Sequence, residues 1–395
     1  MTNLYLTAVG LATPLGVGKG EVCENLINGS TAGLRLHDDY IKGSEVLLGE
    51  VTQPLPEMPA HLSTFDSRNC RMLILALQEI AAEVEATVQR FGRDRIAIVL
   101  GTSTSGLDEG EAAFSQRVKT GAWPDTFSYA QQETGSPAEF LAQYLGLDGV
   151  AYTIATACSS SGKAMAAGRR LIETGVCDAA IVGGCDTLCH LTVYGFNALE
   201  AVSKGRCNPS SVHRDGITIG EGAALFILTP DAGDIRFMGA GETSDAYHIS
   251  APHPQGDGAR AAMEAALADA GLKSDQIAYL NLHGTATEHN DRAESHAVHA
   301  VFGPDLPCSS TKPMTGHMLG AAAGGEAAFL WLTLHPAYGN GRLPPHIWDG
   351  AVDPELAPLN LVPMGASTPL EKGSAMLSNS FAFSGSNIAL ILGRA

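Results

Sequence analysis

VAYTIATACSSSG, residues 150–162, runs from an apolar strand pattern into a turn of small residues, then Cys158, three serines and a helical stretch. A strand that delivers a cysteine to the start of a helix is a βα unit. It places the sulfur where the first backbone N–H groups of the helix lack partners and where the helix dipole is positive. That setting favours thiolate over thiol and lowers the thiol pKa. The serine run supplies capping groups. The other cysteines are Cys23, Cys70, Cys177, Cys185, Cys189, Cys207 and Cys308, and none shares this setting. Cys177, Cys185 and Cys189 lie in or beside the apolar run AAIVGG and read as core.

Moving outward, the strand–turn pattern recurs in order. YLTAVGLATPLG (5–16) has a counterpart in RFMGAGETSDAY (236–247). RIAIVLGTST (95–104) has one in QIAYLNLHGTAT (276–287), and GAALFILT (222–229) has one in SNIALILG (386–393). Three ordered matches predict two similar halves, residues 1–230 and 231–395. Between the strands, residues 71–88, 162–174, 259–270 and 319–334 carry apolar side chains at helical spacing. Strands alternating with helices predict α/β layering. The strands at 179–182 and 224–228 are apolar on both faces, as in a sheet covered on both sides.

Bulk properties narrow the function. The chain has 395 residues, 45% hydrophobic and 17% charged, with a formal net charge of −18. So acidic a chain is a poor nucleic-acid binder, which needs clustered Lys and Arg. No run is long and apolar enough for a membrane span and the first residues do not read as a signal peptide, so the cytoplasm is expected. Scattered thiols suit a reducing compartment. Cys185, Cys189 and His190 come nearest to metal spacing, but no second cluster accompanies them and no metal site is expected.

Two histidines stand out. His283 ends an apolar strand before a Gly-Thr turn, where α/β folds place catalytic groups. His317 lies in SSTKPMTGHMLGAAAGGE (309–326), after a strand end and before a Gly/Ala-rich helix start. In the duplicated frame this segment is the counterpart of the Cys158 segment, so Cys158 and His317 should meet across the pseudo-twofold axis. His248, His253, His335 and His346 sit in polar or Pro-rich stretches and read as loop or surface.

The segments TACSSSG, HGTAT and TKPMTGHMLGAAAGGE resemble those of the β-ketoacyl-acyl carrier protein synthases of the I/II type, in the thiolase superfamily. RDGITIGEGA and the C-terminal NSFAFSGSN are similar to two further stretches of that family, in the same order along the chain. The resemblance implies a five-layer α-β-α-β-α fold of two similar halves and a Cys158–His283–His317 site. It implies a decarboxylative Claisen condensation of an acyl thioester with malonyl-acyl carrier protein, in fatty acid or polyketide/polyene biosynthesis. No cofactor is implied beyond the phosphopantetheine that carries the substrates. By the same resemblance, the backbone N–H groups of Cys158 and Phe383 form an oxyanion hole, Phe383 gates the pocket, Lys312 pairs with Glu326, and Thr285 and Thr287 bind phosphopantetheine. Acyl chain length is expected to depend on pocket depth at the dimer interface, with a contribution from Gly195-Phe196-Asn197.

Two departures stand against the family pattern. The usual GFGG of the last loop is here Ala382-Phe383-Ser384-Gly385, and RPFD before the RDG segment is Cys207-Asn208-Pro209-Ser210. These imply a specialised enzyme, either a homodimer or the ketosynthase subunit of a heterodimer with a chain-length-factor paralogue. An acidic carrier protein calls for a basic entrance, for which Arg68, Arg71, Lys204 and Arg206 are candidates.

Overall fold

Strands buried on both faces need cover on both sides, and this decides the architecture. The computed structural model describes residues 3–395. Its main strands are β1 (Leu4–Thr13), β2 (Ile96–Gly101), β3 (Ala151–Ile154), β4 (Ala179–Asp186), β5 (Gly222–Thr229), β6 (Ile235–Ser244), β7 (Ile277–Asn281), β8 (Pro307–Ser309), β9 (Ala375–Phe381) and β10 (Ser386–Arg394). The helices packed on them are α1 (Arg68–Gln78), α2 (Ser136–Leu145), α3 (Ser160–Glu173), α4 (Asp257–Ala270), α5 (Glu288–Phe302) and α6 (Ala322–Leu334).

Hydrogen bonding orders the strands β8-β7-β9-β10-β6-β1-β5-β4-β2-β3. The first five and the last five strands in sequence share one internal order: third, second, fourth, fifth, first. In each set the third, second and fourth strands run parallel and the fifth and first pair antiparallel. Among the described residues, only Leu4–Phe237 and Tyr5–Arg236 pair between the sets, so two five-stranded sheets touch at one corner. Among the elements labelled above, each set reads strand-helix three times and then two strands, the first set carrying additional helices, among them Leu107–Thr120 and His190–Ala198. We propose that the halves divide in the connection from Thr229 to Ile235, beside the expected 230/231 boundary.

Side-chain alternation builds the layers. Along β2, Ile96, Ile98 and Leu100 face a core shared with α1 and α2. Ala97 and Val99 face the opposite way, into a core shared with α3 and α6. On the second sheet Ile277, Leu377 and Ile391 pack on α4. The result is the five-layer α-β-α-β-α arrangement. The central helix α6 is buried along all its length, as its largely apolar sequence requires, with Glu326 its one charged residue.

One helical stretch differs from expectation. Residues 71–88 form two helices, Arg68–Gln78 and Ala81–Phe91, broken where Ile80 leaves helical geometry (φ −132°) to bury its side chain. Among the described residues no helix is long and apolar enough to cross a membrane.

Gly101 ends β2 directly beneath the first turn of α3. A Cβ there would lie 2.1 Å from the Ser161 nitrogen. Gly101→Ala is therefore expected to push α3 off the sheet and destabilise the protein by about 3 kcal/mol. An unchanged denaturation midpoint would contradict this packing.

Candidate active site

Cys158 sits between β3 and α3, after Ala157, whose φ of 51° turns the chain sharply. The three serines behind it do not cap the helix in the expected way. Ser159, at the N-cap, makes no side-chain cap bond. Its hydroxyl donates instead to the Thr156 carbonyl (2.8 Å), the Ser160 hydroxyl accepts from the Thr156 N–H (2.9 Å), and the Ser161 hydroxyl accepts from the Gly324 N–H of α6 (2.8 Å). The serines thus brace the turn and tie the two central helices together.

His317 comes from the loop between β8 and α6. Its Nε2 lies 3.0 Å from Cys158 Sγ. Its backbone is clamped by the RDGITIGEG segment: the His317 N–H donates to the Thr218 carbonyl (2.6 Å), and the Gly220 N–H donates to the His317 carbonyl (2.9 Å). The Leu319 N–H donates to His317 Nδ1 (3.2 Å). With Nδ1 accepting, a neutral ring carries its proton on Nε2 and presents it to the sulfur. His283 follows β7, and its ring stands edge-on to His317 with centroids 5.3 Å apart. Glu294 on α5 fixes that turn, accepting from the His283 and Gly284 N–H groups (2.7 Å each).

Ligating atoms of Cys158, His283 and His317 all lie within 4.8 Å of one another, a spacing that would also suit a soft metal ion. The Nε2 proton of His317 argues otherwise, because it leaves no lone pair facing the cluster. The geometry suits hydrogen-bond donation to a developing anion.

Cys158, His283 and His317 line a cavity of about 370 Å³, together with Thr285, Thr287 and Phe383. The Thr285 and Thr287 hydroxyls are 3.0 Å apart. Phe196 also lines the cavity, and its ring packs 5.4 Å from that of Phe383. Lys312 and Glu326 lie outside it as a fully buried ion pair, Nζ to Oε1 2.5 Å. Burial raises the Glu326 carboxyl to about 7, against the lowering effect of Lys312.

The electrostatics correct one expectation. Burial pushes the Cys158 thiol up to about 12, although Lys312 and the N–H groups of Cys158 and Phe383 pull it down. The helix start does not produce a resting thiolate, because the sulfur is out of water before any charge forms. Burial, seconded by the Lys312 charge, holds both His283 and His317 well below the usual histidine range, so both rings are neutral.

Other readings change too. His346 is buried, not surface, accepting from the Ser310 N–H (3.1 Å) and bonding the Pro209 carbonyl (2.9 Å). His248 and His289 line the mouth of the cavity. Arg68 and Arg71 border a separate open cavity of about 870 Å³, but neither is a spare cation. Arg68 grips buried Glu221 through two bonds (2.5 and 2.9 Å), and Arg71 grips Asp66 (2.6 and 2.7 Å). Ser384 takes the left-handed conformation (φ 66°) that glycine would adopt freely, while Ala382 is extended. Glu294 and Thr218 escaped sequence reasoning because they act through backbone groups and leave no signal in residue spacing.

Residues 2–232 match the family described as Beta-ketoacyl synthase, N-terminal domain, and residues 236–347 match Beta-ketoacyl synthase, C-terminal domain. The 3-oxoacyl-[acyl-carrier-protein] synthase 2 of Staphylococcus aureus (strain COL) is 30% identical over 98% of this chain and 97% of its own. Among solved structures, the ketosynthase ApeO in complex with its chain length factor ApeC, from Xenorhabdus doucetiae, superposes with a TM-score of 0.94. It is 45% identical, covering 100% of this chain and 98% of the other. The ishigamide ketosynthase/chain length factor superposes with a TM-score of 0.90 at 26% identity, covering 100% and 99%.

A thiol held this high stays protonated through neutral pH and gains thiolate only as pH rises toward its pKa. Alkylation of Cys158 by iodoacetamide, followed by peptide mass mapping, is therefore expected to be slow at neutral pH and still climbing at about pH 9. A plateau reached near neutrality would contradict the desolvated thiol.

Proposed function

The chain belongs to the β-ketoacyl synthase family, and from that premise we propose that Cys158, His283 and His317 carry out its decarboxylative condensation. The observation that carries the assignment is the convergence of one sulfur and two neutral imidazoles on a single buried space. The enzyme is an acyltransferase-class condensing enzyme, a β-ketoacyl-acyl carrier protein synthase.

In the loading step the Cys158 sulfur attacks the carbonyl of an acyl thioester. Negative charge develops on that oxygen, and the N–H groups of Cys158 and Phe383, which already point at the sulfur, are suited to receive it. The carrier leaves as a thiol, taking the proton that Cys158 gives up. In the second step a malonyl thioester loses CO2. The electron pair moves onto the thioester, and the Nε2 proton of His317, with a ring N–H of His283, stabilises the enolate oxygen. Neutral imidazoles donate without adding a buried charge. The enolate carbon then attacks the Cys158 thioester. The new C–C bond forms, the C–S bond breaks to leave the Cys158 thiolate, and a proton taken up from solvent as the product departs restores the thiol. Burial, helped by the charge of Lys312 in its pair with Glu326, keeps both rings neutral. Thr285 and Thr287, at the cavity wall, are assigned to the phosphopantetheine arm that brings both substrates. No other cofactor enters these steps.

We further propose that the chain works with a chain-length-factor-like paralogue, in preference to a homodimer, and takes its substrates from an acyl carrier protein. Its likeness to ApeO supports this. So does the helix His190–Ala198: Phe196 lines the cavity, while Leu191 and Tyr194 stand exposed on the same helix, with Leu199 just beyond it. A partner covering that face would press directly on the acyl pocket. Eight buried free thiols favour a reducing cytoplasm.

With acyl- and malonyl-carrier proteins and any co-purifying partner, wild type should release β-ketoacyl product. Cys158→Ala should form no acyl-enzyme by intact mass. His283→Ala and His317→Ala should each slow malonyl decarboxylation about a hundredfold. Because both rings are already neutral, the wild-type decarboxylation rate should show no inflection at the ordinary histidine pKa of about 6.5. Free acid as the sole product would point to a hydrolase, and neither product to a binding protein.

A further inference from the structure

Lys163 lies one turn into α3, half-buried, and its ammonium donates to the Ser386 hydroxyl at 2.7 Å. Ser386 begins β10 immediately after the turn that carries Phe383. Its hydroxyl is also 3.3 Å from that of Ser159, the residue after Cys158. The Ser159 hydroxyl also lies 2.8 Å from the Thr156 carbonyl and 3.0 Å from the Thr156 hydroxyl. A chain of bonds therefore runs from Lys163 through Ser386 and Ser159 into the nucleophile turn. On the other flank the Ser380 hydroxyl donates to the Cys158 carbonyl at 2.9 Å. The segment bearing Phe383 is tied to the Cys158 turn both before and after the gate residue.

Withdrawing an ammonium from water carries a cost that an apolar side chain in the same place would avoid. Burial lowers the Lys163 pKa, and its charged neighbours Glu242 and Arg170 already pair with each other (2.5 Å). What the ammonium gains is a charge-assisted bond to one hydroxyl. That hydroxyl joins the strand leaving the Phe383 turn to the residue after Cys158. The turn is costly to hold, since Ser384 within it is left-handed.

We propose that Lys163 is a positioning residue for acyl transfer: through Ser386 and Ser159 it holds the Phe383 turn in register with Cys158. This rests on the condensing-enzyme reading and on the role given there to the Phe383 N–H.

The test compares wild type, Lys163→Met, Lys163→Arg and Ser386→Ala, each as the full chain with any co-purifying partner. Two rates are read: acyl transfer from an acyl carrier protein onto Cys158 by intact mass, and iodoacetamide alkylation of Cys158 without substrate. Lys163→Met and Ser386→Ala are expected to slow acyl transfer about tenfold, at unchanged KM for the carrier. Both should also change the alkylation rate by about threefold. Lys163→Arg, which keeps the cation, should recover most of both. A merely structural lysine would lower the melting temperature and leave both rates alone. If Lys163→Met does not fold, Ser386→Ala decides. Both rates within about twofold of wild type in the folded variants would overturn the proposal. A wild type that takes up no acyl group would instead sink the condensing-enzyme reading, and the alkylation rates would still test the tie.

Discussion

The dry space around one sulfur and two imidazoles is the constraint on which the rest depends. Desolvation keeps the thiol protonated and the rings neutral, so the resting site carries no charge among its reacting groups. In the condensation proposed here, charge appears only during reaction, on a thioester oxygen, and meets donors already in place. Lys312 supports this without entering the cavity. Its charge opposes protonation of both rings, while Glu326 at 2.5 Å makes the buried ammonium tolerable. A dry site also protects an enolate from premature protonation by water.

Holding such groups together requires backbone conformations that side chains resist. Ala157, Ala286, Leu319 and Ser384 are left-handed non-glycine residues, each within three positions of a residue assigned to the site. Each costs about 1–2 kcal/mol relative to ordinary backbone. The cost falls on turns pinned by buried bonds: Ser160 at the Cys158 turn, Asp291 to the Ala286 N–H, and Asp186 to the Gly320 N–H. These pins hang on the ends of buried strands. The five layers therefore work as a frame stiff enough to keep strained turns from relaxing.

Much of this was legible in the chain. The six strand segments quoted as repeats all form strands, because their apolar content leaves them no exposed alternative. Cys158, His283 and His317 were legible because each follows a strand end. The direction of the Cys158 shift was not. Sequence places the sulfur at a helix start, which argues for thiolate, but burial is decided by the loops at 381–385 and 316–320 closing over it. Glu294 was hidden for a related reason. Its carboxylate serves peptide N–H groups eleven and ten residues earlier, and any helix can carry a glutamate. His346 misled because a Pro-rich neighbourhood predicts exposure, yet here it threads under the Pro209 carbonyl.

The repeated topology explains why one space could gather these groups at all. Cys158 lies between the third strand and third helix of the first half, and His317 lies at the same point in the second. The two central helices pack with their starts together, Ser161 bonding the Gly324 N–H across them. Each half alone would bring a strand end and the positive end of a helix to its own surface. Packed face to face, the halves turn two such ends toward one enclosed volume. In the proposed mechanism, the helix fields that fail to ionise the resting thiol then act on the oxyanion and enolate, whose charge would form between them. An environment too dry to hold a thiolate at rest is, for the same reason, one in which fixed dipoles act on a developing charge with little screening.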